Sequence, residues 1–285
     1  MQPVSWDHAS MTRANFISMV HEQGKLLYRD LPWRGLNDAY AVLVSEVMLQ
    51  QTQVKRVLSY WERFMKMFPT LDALAAASNS DVLNAWQGLG YNRRALALKK
   101  TADMCSLKFQ GSLPHEYQEL LALPGIGSAT AAGVCAFAYN KPACYIETNV
   151  RSVFIHYLFA HEQRVTDAQL MPYVIDVCPV HPRMWYYALL DIGAQLKKTT
   201  NPARKSAHYT RQSAFEGSRR EKRSFVLKLV LAQDEGITRD EVKYQLNSFE
   251  KSHKRDVLRD DDMEHIIDAM IDEGFFKEHD GMLVP

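Results

Sequence analysis

Two carboxylates sit in surroundings that would change their chemistry. Glu46 lies inside the apolar run AYAVLVSEVML, residues 39–49, where a solvated helix face would carry further charges. Desolvation by such neighbours raises a carboxyl pKa and lets the group keep a proton near neutrality, as a general acid must. A helix N-cap or a paired structural carboxylate would fit the same residue. Further on, residues 120–151 read LLALPGIGSATAAGVCAFAYNKPACYIETNVR. A Leu123-Pro-Gly-Ile-Gly127 turn opens an alanine-rich helix, and the second carboxylate, Glu147, follows that helix. Glycines at 125 and 127 admit backbone conformations that a Cβ disfavours, so their amides and those of Ser128 to Ala131 can converge on an anion. No Gly-Lys-Ser/Thr follows and no strand pattern precedes, which excludes a Walker loop and a dinucleotide fingerprint. A plain Pro-Gly turn between helices is the simpler alternative. A third stretch, WQGLGYNRR over 86–94, uses Gly88 and Gly90 to present Tyr91 ahead of Arg93 and Arg94. An aromatic beside two arginines suits a wedge into stacked bases flanked by phosphate contacts; a glycine cap with Tyr91 in the core fits as well. Gln50, Gln51 and Thr52 add an uncharged hydrogen-bonding cluster suited to base edges.

These groups must be held by helices, because helical periodicity dominates and alternating strand patterns are few. The pattern predicts helices over Thr12–Tyr28, Ala39–Val44 continuing into Gln53–Met67, Leu71–Ala76, Ser80–Trp86, Arg93–Phe109, Tyr117–Leu121, Ser128–Tyr139, Thr148–Phe159, Asp167–Cys178 and Met184–Lys197. The turn at 123–127 thus joins two helices, a helix-hairpin-helix arrangement that grips a nucleic-acid backbone without reading its sequence. From Lys198 to Ser224 the chain turns polar and basic. From Phe225 a compact unit follows: a helix ended by Gly236, a second opened by the Thr238–Glu241 capping box, a third over DMEHIIDAMIDEG, and an Asp-Gly hairpin signal. Three helices and a hairpin resemble a winged-helix module; a generic helical cap is the alternative. The fold class is all-α. A net charge of +1 means that a nucleic-acid partner would need a local basic patch. No apolar run reaches membrane-spanning length and the N-terminus lacks a leader-like segment, so an intracellular, cytoplasmic protein away from membranes is expected. Cys105, Cys135, Cys144 and Cys178 lack CxxC spacing and read as free thiols rather than metal ligands.

Taken in order, LPWR, SEVMLQQTQV, GLGYNRRA, LPGIGSATAAG and ETNVRSV, continuing through WYYALLDIGAQL, closely resemble the helix-hairpin-helix base-excision DNA glycosylases, and among them the adenine glycosylase, MutY-like branch. The resemblance covers about Leu31 to Leu196. It implies two helical lobes with the active site in the cleft between them, and a domain division of 1–197 for the glycosylase, 198–224 for a basic strap and 225–285 for the winged-helix-like unit. It implies Glu46 as the acid that protonates a departing adenine, Glu147 as the electrostatic partner or nucleophile, and Asn149 as a residue ordering the active-site water. Trp33 and Arg34 match the region lining the adenine pocket, Gln51 and Tyr91 residues that wedge into the duplex, and Thr52 a contact to the partner base. Leu123, Gly125, Gly127, Ser128 and Thr130 match the hairpin that grips phosphates.

Three departures qualify that resemblance. Glu147-Thr148-Asn149 stands where the family has Asp-Gly-Asn, so the carboxylate sits on a longer stem; displaced chemistry or binding without cleavage would follow if nothing compensates. Ala129 occupies the position of the Schiff-base lysine of endonuclease III relatives, which implies no lyase activity. The loop that should carry four cysteines and an iron–sulfur cluster has none; it carries nine Lys/Arg over 197–223, including Arg219 and Arg220, which are expected to contact phosphates in its place. The expectation is therefore a clusterless, monofunctional and monomeric DNA N-glycosylase without cofactor or metal. It would act on double-stranded DNA with adenine opposite 8-oxoguanine or guanine. A glycosylase for another base and a non-catalytic lesion-binding protein remain as alternatives.

Overall fold

The structure is a computed structural model that describes residues 4–233 and 235–285. Met1 to Pro3 in the N-terminal reading, and Asp234 in the helix expected from Ser224 to Gly236, lie outside the described residues. Helices dominate as expected, and the chain divides into two compact units: Met1–Glu46 with Leu113–Arg211, and Val47–Ser112 with Gln212–Pro285. Among the described residues no helix is long and apolar enough to cross a membrane.

The first unit contains α1 (Arg13–Leu26) and most of α2 (Ala39–Leu49), which runs on past Glu46. The second unit's helices α3 (Val54–Met67), α4 (Leu71–Ala76), α5 (Asn79–Trp86) and α6 (Arg93–Lys108) come next in the chain. The first unit then resumes with α7 (Tyr117–Leu121), α8 (Ser128–Phe137), α9 (Thr148–Leu158), α10 (Asp167–Val177), α11 (Arg183–Thr199) and a 3-10 turn at Pro202–Lys205. Its spine is α11, which packs on both α1 and α9. Phe16, Val20, Phe154, Tyr186 and Leu189 form the centre of that core. A Cβ on Gly24 of α1 would run into Ala188 of α11, so the glycine sets how closely these two helices approach.

The second unit ends with α12 (Arg219–Leu231), β1 (Ile237–Thr238), α13 (Arg239–Ser252), α14 (Asp260–Asp272), β2 (Lys277–His279) and β3 (Met282–Val284). The sheet order is β1-β3-β2, antiparallel throughout, with Ile237 opposite Leu283 and Glu278 opposite the same residue. Asp280 and Gly281 both take positive φ, as a tight hairpin requires. Helix, strand, two helices and a hairpin is the winged-helix order, with a strand at β1 that the sequence pattern does not reveal. Its Thr238 hydroxyl accepts the Glu241 amide and opens α13.

Two boundaries differ from expectation. Helix α2 stops at Leu49 and α3 starts at Val54, with Gln51 between them at φ 55°. The basic strap ends at Ser218, whose hydroxyl caps α12, so Arg219 and Arg220 are helical residues. The strap's early part is pinned within the first unit by a parallel bridge from Ser206 to Val165 and by Lys205 Nζ donating to Ala160 O.

Candidate active site

Glu46 projects from α2 against α8. A Cβ placed on Gly133 would collide with Glu46 Oε2, so glycine here leaves the carboxyl its present position. Burial is the largest influence on this group and, with the nearby charge of Glu147, lifts its pKa to about 8; Arg34 acts in the opposite direction. Part of its surface still meets solvent.

Glu147 is the N-cap of α9, and the longer stem has a local explanation. Its side chain folds back so that Oε1 accepts the amides of Asn149 at 2.6 Å and Val150 at 2.9 Å. Asn149 Nδ2 approaches Oε2 at 3.4 Å. Burial pushes this carboxyl up, while the two amides, Arg151 and the Asn149 side chain work against burial. At Glu147 amide donors and a helix N-terminus offset part of that push; Glu46 has no such donors among its influences. Burial thus pushes both carboxyl groups up, and only Glu147 carries amide donors that oppose it.

Three residues outside the sequence-based set complete this site. Tyr145 is buried and close enough to both carboxylates that their charges add to desolvation in holding its proton. Gly133 makes room for Glu46. Gly193 of α11 makes room for Asn149: a Cβ there would strike the Asn149 carbonyl and Cα. A glycine inside an otherwise helical pattern was the available signal for the last two. Gly193→Ala is expected to push the start of α9 outward, and a displacement of about 1 Å at Glu147 costs on the order of a hundredfold in rate. Single-turnover kinetics check this, with duplex affinity as the control expected to change little.

Arg34 and Trp33 differ from open pocket-lining groups. Trp33 is a core residue. Arg34 grips Asp191 of α11 with both terminal nitrogens, at 2.7 and 2.8 Å, and lies 4.4 Å over the Tyr187 ring. Arg29 Nε binds the same carboxylate at 2.5 Å.

In the hairpin between α7 and α8, Gly125 has φ 70° and Gly127 is the N-cap of α8, which has no side-chain cap and no acid in its first turn. Helix amides there are left without intrahelical partners. Gly125, Gly127 and Ser128 are exposed. Leu123 and Thr130 are instead buried, at 3% and 6%, and their side chains belong to the core under the hairpin.

The remaining site residues lie in the second unit, where Arg94 brings them together. Its guanidinium donates to Val47 O, Met48 O and Gln50 O at 2.6–2.9 Å, to Thr52 Oγ1 at 3.1 Å and to Gly90 O at 3.0 Å. This ties the end of α2 and the Gln50–Thr52 turn to the Tyr91 loop, and burial pushes the Arg94 pKa down to about 10. Arg94 is consequently a structural clasp, not the phosphate contact expected. Arg93 is exposed but paired with Glu273 at 2.5 Å. Arg220 turns onto Tyr91 and Ser213, and Arg219 stays exposed with one long bond to His265 O.

Residues 44–174 match the family described as HhH-GPD superfamily base excision DNA repair protein. The chain is 34% identical over 240 residues to the adenine DNA glycosylase of Mycobacterium tuberculosis H37Rv, covering 75% of this chain and 78% of that one. It is 37% identical over 176 residues to the adenine DNA glycosylase of Buchnera aphidicola subsp. Baizongia pistaciae, covering 61% of this chain and 50% of the relative. The chain spans about half the length of several curated relatives it matches. Among solved structures, a thermostable thymine-DNA glycosylase superposes with a TM-score of 0.54 at 22% identity, over 66% of this chain and 86% of that one. That likeness concerns the fold alone.

Proposed function

The chain belongs to the helix-hairpin-helix base-excision glycosylase superfamily, in its adenine glycosylase branch, and on that premise we propose that it is a monofunctional DNA N-glycosylase acting as a monomer on adenine mispaired with 8-oxoguanine or guanine. The observation that carries this is the pair of buried carboxyl groups, with Glu46 lifted to about 8 and Glu147 held by two amides. Cleavage of a purine N-glycosidic bond passes through an oxocarbenium-like sugar and needs an acid for the base and an anion for the sugar. The base must first leave the stack. Glu46 then gives its proton to the departing purine, which takes the bonding electron pair. Glu147 stabilises the cationic sugar, and water adds to the anomeric carbon with loss of a proton. Asn149 fixes Glu147 through its amide contacts.

The exposed Gly125, Gly127 and Ser128 amides are the proposed phosphate grip, and exposed Lys197, Lys198, Arg204 and Arg211 of the same unit supply positive charge for a nucleic-acid backbone. Residues 197–223 contain no cysteine and do not fit a four-cysteine cluster, so no step runs through one. Ala129 offers no amine, which supports the absence of strand cleavage.

The test is a panel of duplexes with single mispairs or damaged bases under single-turnover conditions. Abasic product from the adenine:8-oxoguanine duplex, with nicking only after alkali, is expected. Release of a different base would reassign the substrate, and no abasic product at any time would leave a lesion-binding protein. The pH profile carries its own sign. Glu46 must hold its proton, so the rate is expected to fall as pH rises through about 8. Because the charge on Glu147 helps lift that pKa, Glu147→Gln should move the falling limb to lower pH as well as reduce the rate.

A further inference from the structure

Tyr91 holds φ 51°, a left-handed conformation that a bulky side chain keeps only when its surroundings impose it. From the loop side, Gly88 leaves no space for a Cβ beside Tyr60, Trp86 Nε1 donates to Gly90 O at 3.2 Å, and Arg94 donates to the same carbonyl. The other restraints come from residues 212–220. Arg220 Nη1 donates to Tyr91 Oη at 2.7 Å while its Nη2 donates to Ser213 O at 2.7 Å. Gln212 Nε2 donates to the same Tyr91 hydroxyl. The guanidinium groups of Arg220 and Arg94 lie 5.4 and 5.5 Å from the ring centroid. The helix that carries Arg220 is tied to the loop's other flank, since Arg223 of α12 and Arg93 of α6 share Glu273.

We propose that Arg220, with Gln212, is a positioning residue for the Tyr91 wedge, so that residues 212–220 act as a strut holding an aromatic ring ready for insertion and Arg220 is not itself a free phosphate contact. This rests on the DNA glycosylase reading above. A group fixed before binding does not have to be ordered during it, so the strut strengthens whatever contact needs Tyr91 in place. It contributes little to contacts that depend on charge alone. The two roles make different demands: a strut works through the Tyr91 hydroxyl, and a phosphate contact works through the Arg220 charge.

The test uses the full chain and two duplexes, one with an adenine:8-oxoguanine pair and one fully matched, each with 2-aminopurine beside the central pair as an unstacking reporter. Tyr91→Phe, Arg220→Ala, Arg220→Lys and the Tyr91→Phe/Arg220→Ala double variant are compared with wild type. Each single variant is expected to lose roughly tenfold in mispair-over-matched discrimination, the scale of one charge-assisted hydrogen bond, with a weaker unstacking signal. The double variant should be no worse than Arg220→Ala, and the salt slope of matched-duplex binding should not change. Lysine keeps the charge but cannot bridge Tyr91 and Ser213 with a planar fork, so it should not rescue. The proposal is overturned if Tyr91→Phe behaves as wild type. It is equally overturned if Arg220→Ala weakens both duplexes alike with a salt slope shallower by about one, or if wild type gives no unstacking at saturation. Should Arg220→Ala fail to fold, Tyr91→Phe decides, since it deletes one hydroxyl. Abasic product is scored separately; unstacking without product would refute the activity while supporting the strut.

Discussion

Replacing Glu46 with glutamine is expected to slow single-turnover base excision by at least about a hundredfold and up to about ten-thousandfold, the range spanned by general acid catalysis. Duplex affinity should stay within roughly twofold, because glutamine keeps the shape of the side chain and loses only its transferable proton. The space left by Gly133 accommodates either side chain. Equal loss in rate and in rate over affinity marks an interaction made only in the transition state. Retained turnover in Glu46→Gln would remove Glu46 from the mechanism.

The same substitution has a signature in stability. Folding lifts the Glu46 pKa from 4.5 to about 8. Between those values the native protein binds more protons here than the unfolded chain does, so this group makes stability fall as pH rises across that window. Glutamine has no proton to lose and removes the dependence. Urea midpoints of the two proteins should therefore be closer at pH 5 than at pH 8, with the variant the more stable at the higher pH. A catalytic group kept protonated by burial is maintained at the expense of the fold, and the two measurements on one variant separate the chemical role from the structural cost.

Where chemistry depends on local sequence, it was legible. The apolar run around Glu46 gave away its desolvation, and the hairpin glycines at 125 and 127 gave away a helix start without a side-chain cap. Glu147 looked like a misplaced carboxylate because a stem's length shows in sequence whereas its path does not; folded back onto the amides of Asn149 and Val150, it caps α9. What could not be read were pairings over long separations. Arg220 lies 129 residues from Tyr91 and Arg94 lies 47 from Val47. Each arginine looked like a phosphate contact because a cation near a glycine loop carries no mark of the carbonyls it will meet. The strap was misjudged for a related reason. Its charges suggested phosphate contacts, yet Lys222 is buried beside Glu250 and Arg223 is paired with Glu273.

Asp191 is the strongest case of a residue whose importance is invisible in its own segment, and its removal is expected to have the largest effect on stability. Its side chain is 1% exposed on α11 and its carboxylate receives both terminal nitrogens of Arg34, the Nε of Arg29 and the Arg29 amide. Arg34's side chain is itself 2% exposed and lies over the Tyr187 ring. Removing one partner of a buried ion pair leaves the other charge without compensation, and costs about 3–5 kcal/mol. Here the stranded charge would be Arg34, so Asp191→Ala should lower the unfolding free energy by that amount, read as a fall in urea midpoint at constant m-value, and Asp191→Asn by less because two hydrogen bonds can persist. Arg34→Met in the Asp191→Ala background should recover part of the loss, since it removes the orphaned charge and keeps apolar bulk on Tyr187. The loss should also reach the chemistry. Gly193 follows two residues later on α11 and sets the place of Asn149, so a loosened α11 is expected to slow excision in protein that is still folded. If Asp191→Ala melts like wild type, the anchor between the Arg29–Arg34 segment and α11 is not what holds the first unit together.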